Sequence, residues 1–257
     1  MKRNSVWPAL PAIVLLAGCG GGSPEVKKEP APAAPSAAAD PAFTGSVSGK
    51  VVFTGTKPAP RALSMDATPA CARMHNGPVY AEDAVIASDG GLKNVFVYIK
   101  AGLPKRDYPV PSTAIKLDQN GCIYVPHVLG VMVNQPLEIS NSDSTNHNIH
   151  PLPKINREWN ESQPPKGDLK VKTFPKEEVP PILFKCNVHP WMRAWVGVVS
   201  HPYFGVTADD GTFSLKDVPA GEYTVEAWHE RFGVKEVKLK VEPKGSAAAD
   251  FTFKAVE

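Results

Sequence analysis

The sequence has little charge imbalance. Twenty-eight basic residues face 26 acidic ones, leaving a formal +2 over 257 residues, and no stripe or block of one sign occurs. Nucleic acid and acidic polymers are therefore not expected partners. No apolar stripe of 3.6-residue period is present, which removes helical bundles and coiled coils. The chain also lacks a Gly-rich phosphate loop, a nucleophile elbow and a pair of catalytic carboxylates at readable spacing, so it is not expected to be an enzyme. Cysteine is scarce, with four in all, and the absence of C-x-x-C-H excludes haem attachment.

The amino terminus reads as an export leader. Basic Met1-Lys2-Arg3 precedes an apolar stretch through Ala12-Ile13-Val14-Leu15-Leu16, which is too short to span a bilayer comfortably. Leu16-Ala17-Gly18-Cys19 resembles the bacterial lipobox, which implies cleavage after residue 18 and a diacylglycerol thioether on Cys19. Without Lys2 and Arg3 the mature chain is near neutral. The Gly-Gly-Gly and Pro/Ala-rich run of residues 19–44 has almost nothing to bury and reads as a tether. The expected location is a periplasmic or cell-surface membrane, reached through the lipid on Cys19. That compartment is oxidising, so Cys71, Cys122 and Cys186 are an odd set from which one remains unpaired.

After Thr44 short Val, Ile, Phe, Tyr and Thr runs alternate with Gly, Pro, Asn and Asp clusters, an all-β pattern. Expected strands include Val47 to Phe53, Val95 to Ile99, Ala114 to Leu117, Leu137 to Asn141, Ile182 to Cys186, Trp195 to Val199 and Val234 to Glu242. In the last of these Val237, Leu239 and Val241 share one face and Lys238 and Lys240 the other, as a half-buried strand requires.

The chemistry concentrates in Cys186-Asn187-Val188-His189-Pro190-Trp191-Met192-Arg193, where thiolate, imidazole and thioether follow an apolar strand at C-x-x-H-x-x-M spacing. One thiolate and two imidazoles in a plane, with a weak axial thioether, suit copper in both oxidation states. The missing imidazole is expected from Asn141-Ser142-Asp143-Ser144-Thr145-Asn146-His147-Asn148-Ile149-His150, a polar loop closing the strand Leu137 to Asn141. His147 is the first choice and His150 the alternative ligand.

These two segments resemble the copper loops of cupredoxins, nearest the amicyanin and pseudoazurin type, in their His-Asn-x-His and Cys-x-x-His-Pro-aromatic-Met-Arg forms. The resemblance implies a Greek-key sandwich over residues 92–200, one type 1 copper on His147, Cys186, His189 and Met192, and a tie between the two loops through Asn148. Pro190, Trp191 and Trp195 are expected to form an apolar collar around an exposed His189 edge, where a redox partner such as a cytochrome or dehydrogenase would dock.

Two further cysteines are each followed by a histidine, in Cys71-Ala72-Arg73-Met74-His75 and Cys122-Ile123-Tyr124-Val125-Pro126-His127. The spacings fit no familiar zinc module, so a Cys71–Cys122 disulfide is expected ahead of a second metal site. Residues 201–257, with Asp209-Asp210-Gly211-Thr212-Phe213 and Pro219-Ala220-Gly221-Glu222-Tyr223, resemble a small transthyretin-like, carboxypeptidase regulatory-like sandwich. Ser46 to Phe53 resembles the first strand of such a module, so residues 45–91 are assigned in part to it and the copper domain is expected as an insertion. Trp228-His229-Glu230 is a lesser candidate site. The whole order resembles bacterial lipoproteins of the methylamine-utilisation type. Electron transfer in the cell envelope is the expected role, and copper binding for storage, delivery or sensing is the alternative.

Overall fold

The computed structural model describes residues 43–255. The expected leader, Cys19 and nearly all of the tether lie outside them. Among the described residues the chain is all-β apart from one helical turn, and no helix is long and apolar enough to cross a membrane.

In chain order, β1 (Thr44–Thr54) is followed by the turn α1 (Pro69–Ala72) and β2 (Phe96–Ala101). Next come β3 (Ile115–Gln119), β4 (Tyr124–Val125), β5 (Val128–Met132), β6 (Leu137–Asn141), β7 (His147–Leu152), β8 (Glu161–Gln163), β9 (Lys170–Lys172), β10 (Glu178–Lys185) and β11 (Arg193–Val199). The last part holds β12 (Phe204–Val206), β13 (Thr212–Pro219), β14 (Gly221–His229), β15 (Gly233–Val241), β16 (Ser246–Ala248) and β17 (Phe251–Lys254).

The strands make two sandwiches. In the outer one, β1 pairs antiparallel with β13 and parallel with β16 and β17, while β2 lies between β12 and β14 and β15 closes the edge. Inward Val47, Val51 and Phe53 of β1 meet Val97 and Ile99 of β2, Val225 of β14 and Phe253 of β17 in one core. Each such side chain, fully buried, contributes roughly 1.5–3 kcal/mol. In β15 the alternation survives as expected, Val241 being buried and the neighbouring lysines exposed.

The second sandwich faces β5-β11-β10-β7-β8 against β4-β3-β6-β9. The parallel pairs β5 with β11 and β3 with β6 require the crossovers of a Greek key. Leu117, Leu137, Ile139, Ile149, Phe184 and Val196 fill it. The chain leaves the outer sandwich at the end of β2 and returns at β12, so the second sandwich is inserted within the first. The boundary expected at residue 92 therefore differs from the pairing. Strand 96–101 is hydrogen-bonded to β12 and β14 of the outer sandwich, and an apolar run carries no mark of which sheet will take it.

Phe96 also faces the inserted sandwich, in a small cluster with Val128, Val199 and Trp228. Gly130 of β5 and Gly197 of β11 are paired in register. A methyl on either would come within 2.7 Å of the Phe96 ring, so the two glycines form the notch that seats it.

Candidate metal centre

β7 brings His147 to one end of the inserted sandwich. The turn from β10 into β11 brings Cys186, His189 and Met192 to the same end, because β7 and β10 are antiparallel neighbours, with His150 opposite Lys185. Residues 147–150 read as the end of a polar loop in the sequence, yet they open the strand β7. His147 and Ile149 point inward, and Asn148 and His150 lie on the less buried face. The turn-forming Ser142 to Asn146 ends just before the strand resumes.

Nδ1 of His147 lies 2.9 Å from Nδ1 of His189, and the Cys186 Sγ lies 3.7 Å from the latter. Donor atoms of these three buried residues are all within 4.8 Å of one another. Met192 is fully buried in the same core. Its backbone N–H donates to the His189 carbonyl at 2.9 Å, while the Cys186 N–H donates to the Met192 carbonyl at 3.3 Å, closing the loop on itself.

Surrounding groups fix the donors. The Asn148 backbone N–H points at Cys186 Sγ from 3.4 Å, and its side-chain Oδ1 accepts the Asn187 N–H at 2.7 Å. Asn148 thus ties the histidine strand to the cysteine loop. The Tyr124 hydroxyl bonds the carbonyls of Asn148 and Lys185, at 3.0 and 3.3 Å, pinning the same junction from beneath. Nε2 of His147 lies 2.7 Å from Oδ2 of buried Asp143. That carboxylate also accepts the N–H groups of Gly121 at 2.6 Å and Cys122 at 2.8 Å. Positive φ angles at Gly121 and Cys122 turn the two successive N–H groups onto one anion.

The electrostatics follow from this arrangement. Burial opposes ionisation of Asp143, but the His147 contact and the two N–H groups outweigh it, and its pKa lies below the ordinary value. Burial likewise opposes charge on His147, yet the Asp143 carboxylate and Cys186 raise its pKa. For Cys186 burial is overcome by hydrogen bonds from His147 and the Asn148 N–H, which lower the thiol pKa. Burial, then the charge on His147, lowers the pKa of His189. A thiol biased toward thiolate, one imidazole favoured neutral and another whose distal nitrogen is engaged form a donor set that fits a borderline-to-soft metal such as copper.

His150 is not part of this set. Its Nδ1 meets Asn187 Oδ1 at 3.1 Å and its Nε2 meets Glu158 at 2.7 Å, because three residues along a strand reverse the face. Among the described residues no cluster of donor atoms joins His75 or His127 to Cys71 and Cys122. Cys71 and Cys122 form a disulfide, His75 Nε2 bonds the Gly121 carbonyl at 2.8 Å, and His127 pairs with Glu230. His229 is buried among aromatic rings in the outer sandwich, stacked on Phe232.

The expected exposed edge at His189 is corrected by the structure. Only 1% of His189 is accessible, because the disulfide covers it. Cys71 Sγ lies 3.5 Å from Nε2, and Trp191 flanks the ring with its indole N–H bonded to the Cys122 carbonyl at 2.9 Å. Trp195 is no part of a collar. Its ring lies against Trp228 at 5.0 Å, between the sandwiches. Asp143 was missed by sequence reasoning, since one carboxylate in a polar turn carries no signal until the fold brings Gly121 and Cys122 to it.

Comparison with known structures finds likeness to a Cu(I) amicyanin variant at 23% identity and TM-score 0.30, over 38% of this chain and 97% of the other. A purple cupredoxin from Nitrosopumilus maritimus is similar at 22% identity and TM-score 0.28, over 32% of this chain and 97% of that one. Another amicyanin variant, in its reduced Cu(I) form, shares 25% identity at TM-score 0.30, over 40% of this chain and 97% of its own length. Residues 188–255 match the family model of the β-sandwich domain of ER membrane protein complex subunit 7. No curated protein matches the chain.

Proposed function

We propose that the protein is a type 1 copper carrier of single electrons in the bacterial cell envelope, tethered by lipid on Cys19, and not an enzyme. The observation that carries this reading is the convergence of His147 Nδ1, His189 Nδ1 and Cys186 Sγ within one buried cluster, in the core that also holds Met192. Copper bound there would supply one electron by passing between Cu(II) and Cu(I), which two imidazoles and a thiolate accommodate together. The chain's own part is to hold these donors still. Asp143 fixes His147, the Asn148 N–H and the closed turn fix Cys186, and Tyr124 joins their strands. Little rearrangement is then required when charge changes at the centre. Burial excludes water and competing ligands. The partner would be another redox protein of the envelope, a cytochrome or dehydrogenase.

Titration of the soluble chain from Thr44 onward with Cu(II), followed by visible and electron paramagnetic resonance spectra, tests the reading. One copper per chain with an intense sulfur-to-copper absorption is expected, lost in Cys186→Ser and altered in Met192→Gln. A weak nitrogen and oxygen type spectrum insensitive to Cys186 would sink it.

A further inference from the structure

The His189 imidazole faces two clusters at once. Its Nδ1 belongs with His147 and Cys186, whereas its Nε2 lies 3.5 Å from Cys71 Sγ in the Cys71–Cys122 disulfide. Donor atoms of Cys71, Cys122 and His189 all lie within 4.8 Å of one another, and all three residues are buried. We propose that the Cys71–Cys122 pair, when reduced, forms with His189 Nε2 a second site for a soft monovalent cation, Cu(I), sharing one imidazole with the first centre. This rests on the reading of the first centre as a copper site.

Two thiolates and one imidazole give three soft or borderline donors. That number suits Cu(I), whereas a structural zinc site requires four. Asp143, which lies near Cys122, is engaged by Gly121, Cys122 and His147. The pair is also placed for access by a limited movement. Cys71 sits in a flap, residues 61–82, in which only Met65 and Cys71 are buried. The isolated bridge Ala62 to Tyr80 joins the flap's two ends to each other, and the flap is held to the sandwich by the disulfide itself, by the His75 bond to the Gly121 carbonyl and by partly buried Leu63, Met74 and Val79. A segment with so few buried contacts opens at low cost, although both sulfurs are closed off in the resting state.

The step balances as thiol–disulfide exchange. A dithiol, protein or small molecule, supplies two electrons and two protons, the Cys71–Cys122 bond breaks to two thiols, and the reductant leaves as its own disulfide. On binding Cu(I) each coordinating thiol releases its proton to solvent, and with Nδ1 on the first copper His189 also releases its Nε2 proton, bridging the two ions as an imidazolate.

The test is an anaerobic Cu(I) titration against a bicinchoninate competitor, on chain kept oxidised and on chain reduced with a phosphine and desalted. Free-thiol counting confirms reduction, and near-UV circular dichroism follows the native fold. The oxidised chain is expected to take one Cu(I) and the reduced chain two. Cys71→Ser/Cys122→Ser should take one under both conditions, and Cys186→Ser should keep the equivalent that depends on reduction. A reduced chain that still takes only one Cu(I), that binds Zn(II) equally at the new site, or that loses its near-UV signal on reduction would overturn the proposal. Failure of the first-centre reading looks different, since the oxidised chain would then take none.

Discussion

Asp143 is the residue on which the first centre turns. Three donors converge on its carboxylate, two backbone N–H groups and the distal nitrogen of His147. Replacing Asp143 with Asn keeps the size of the side chain but removes the charge that strengthens those bonds. Hydrogen bonds to a buried charge contribute roughly 1.5–3 kcal/mol each, so the variant is expected to lose about 2–3 kcal/mol of stability. Urea unfolding measures this, with a lower midpoint at unchanged slope. Outer partners of a ligating histidine typically account for about 10–100-fold in metal affinity, and Asp143→Asn should weaken Cu(II) binding by that order in a chelator competition. An unchanged affinity would mean that His147 is held by packing alone. The companion residue Asn148 works by covalent continuity, since its N–H and its side chain reach the cysteine loop from one position. Asn148→Ala should therefore leave the backbone contact to Cys186 in place while releasing the Asn187 N–H and the Asn160 side chain, with a correspondingly smaller effect on the copper spectrum.

At the scale of elements, the paired glycines of β5 and β11 decide how the two sandwiches meet. Phe96 leaves β2 of the outer sandwich and occupies the space that side chains on Gly130 and Gly197 would fill. An added methyl on Gly197 would sit 2.5 Å from the Phe96 ring. Overpacking of this kind costs about 1–3 kcal/mol. Gly197→Ala should accordingly lower the thermal midpoint. Gly205→Ala, whose added methyl has its nearest neighbour at 3.6 Å from Leu215, should be nearly neutral. Equal effects from both would remove the notch as the explanation. Strand alternation made much of this level legible. Val237, Leu239 and Val241 fall on the inner face as the sequence pattern predicts. β7 is hidden in the sequence because its inward residues include a histidine, and β2 pairs with the outer sandwich instead of the one expected to begin at residue 92, since its first four residues, Phe96 to Ile99, are buried on both faces and carry no mark of their sheet.

Between the sandwiches, charge makes the whole molecule sensitive to pH. His127 of the inserted sandwich pairs with Glu230 beside β14 of the outer one, and also bonds the Arg193 carbonyl at 3.1 Å. Burial opposes charge on His127, but Glu230 and, further off, Glu82 raise its pKa above 6.5. Its stabilisation is thus fully present below pH 6.5 and lost as pH rises through the raised value. His229 acts in the opposite sense. Burial, opposed by Glu230 and reinforced by His127, lowers its pKa from 6.5 to about 4. The unfolded chain then takes up a proton that the folded chain refuses, and stability falls as pH drops from 6.5 towards 4. Glu230, with a pKa below 4.5 despite its burial, adds to the loss at the acid end. Denaturation midpoints measured across pH are expected to peak near neutrality. His127→Gln should flatten the alkaline limb and also remove most of Glu230's share of the acid limb, because His127 holds that carboxyl's pKa down, while the fall that burial of His229 causes remains; a profile unchanged by that substitution would show that the pair does not couple the sandwiches.

The sequence by itself determined the all-β class, because strand alternation and turn residues are local. It also carried the donor chemistry, because C-x-x-H-x-x-M needs only seven consecutive residues. The choice between His147 and His150 was left to the tertiary structure, since it depends on which face of β7 looks inward. So were the Asp143 support, the glycine notch under Phe96 and the disulfide lying over His189. Each of these joins segments from 21 to more than 100 residues apart. Such contacts are decided when the sheets pack against one another, and no local pattern of residue types records them.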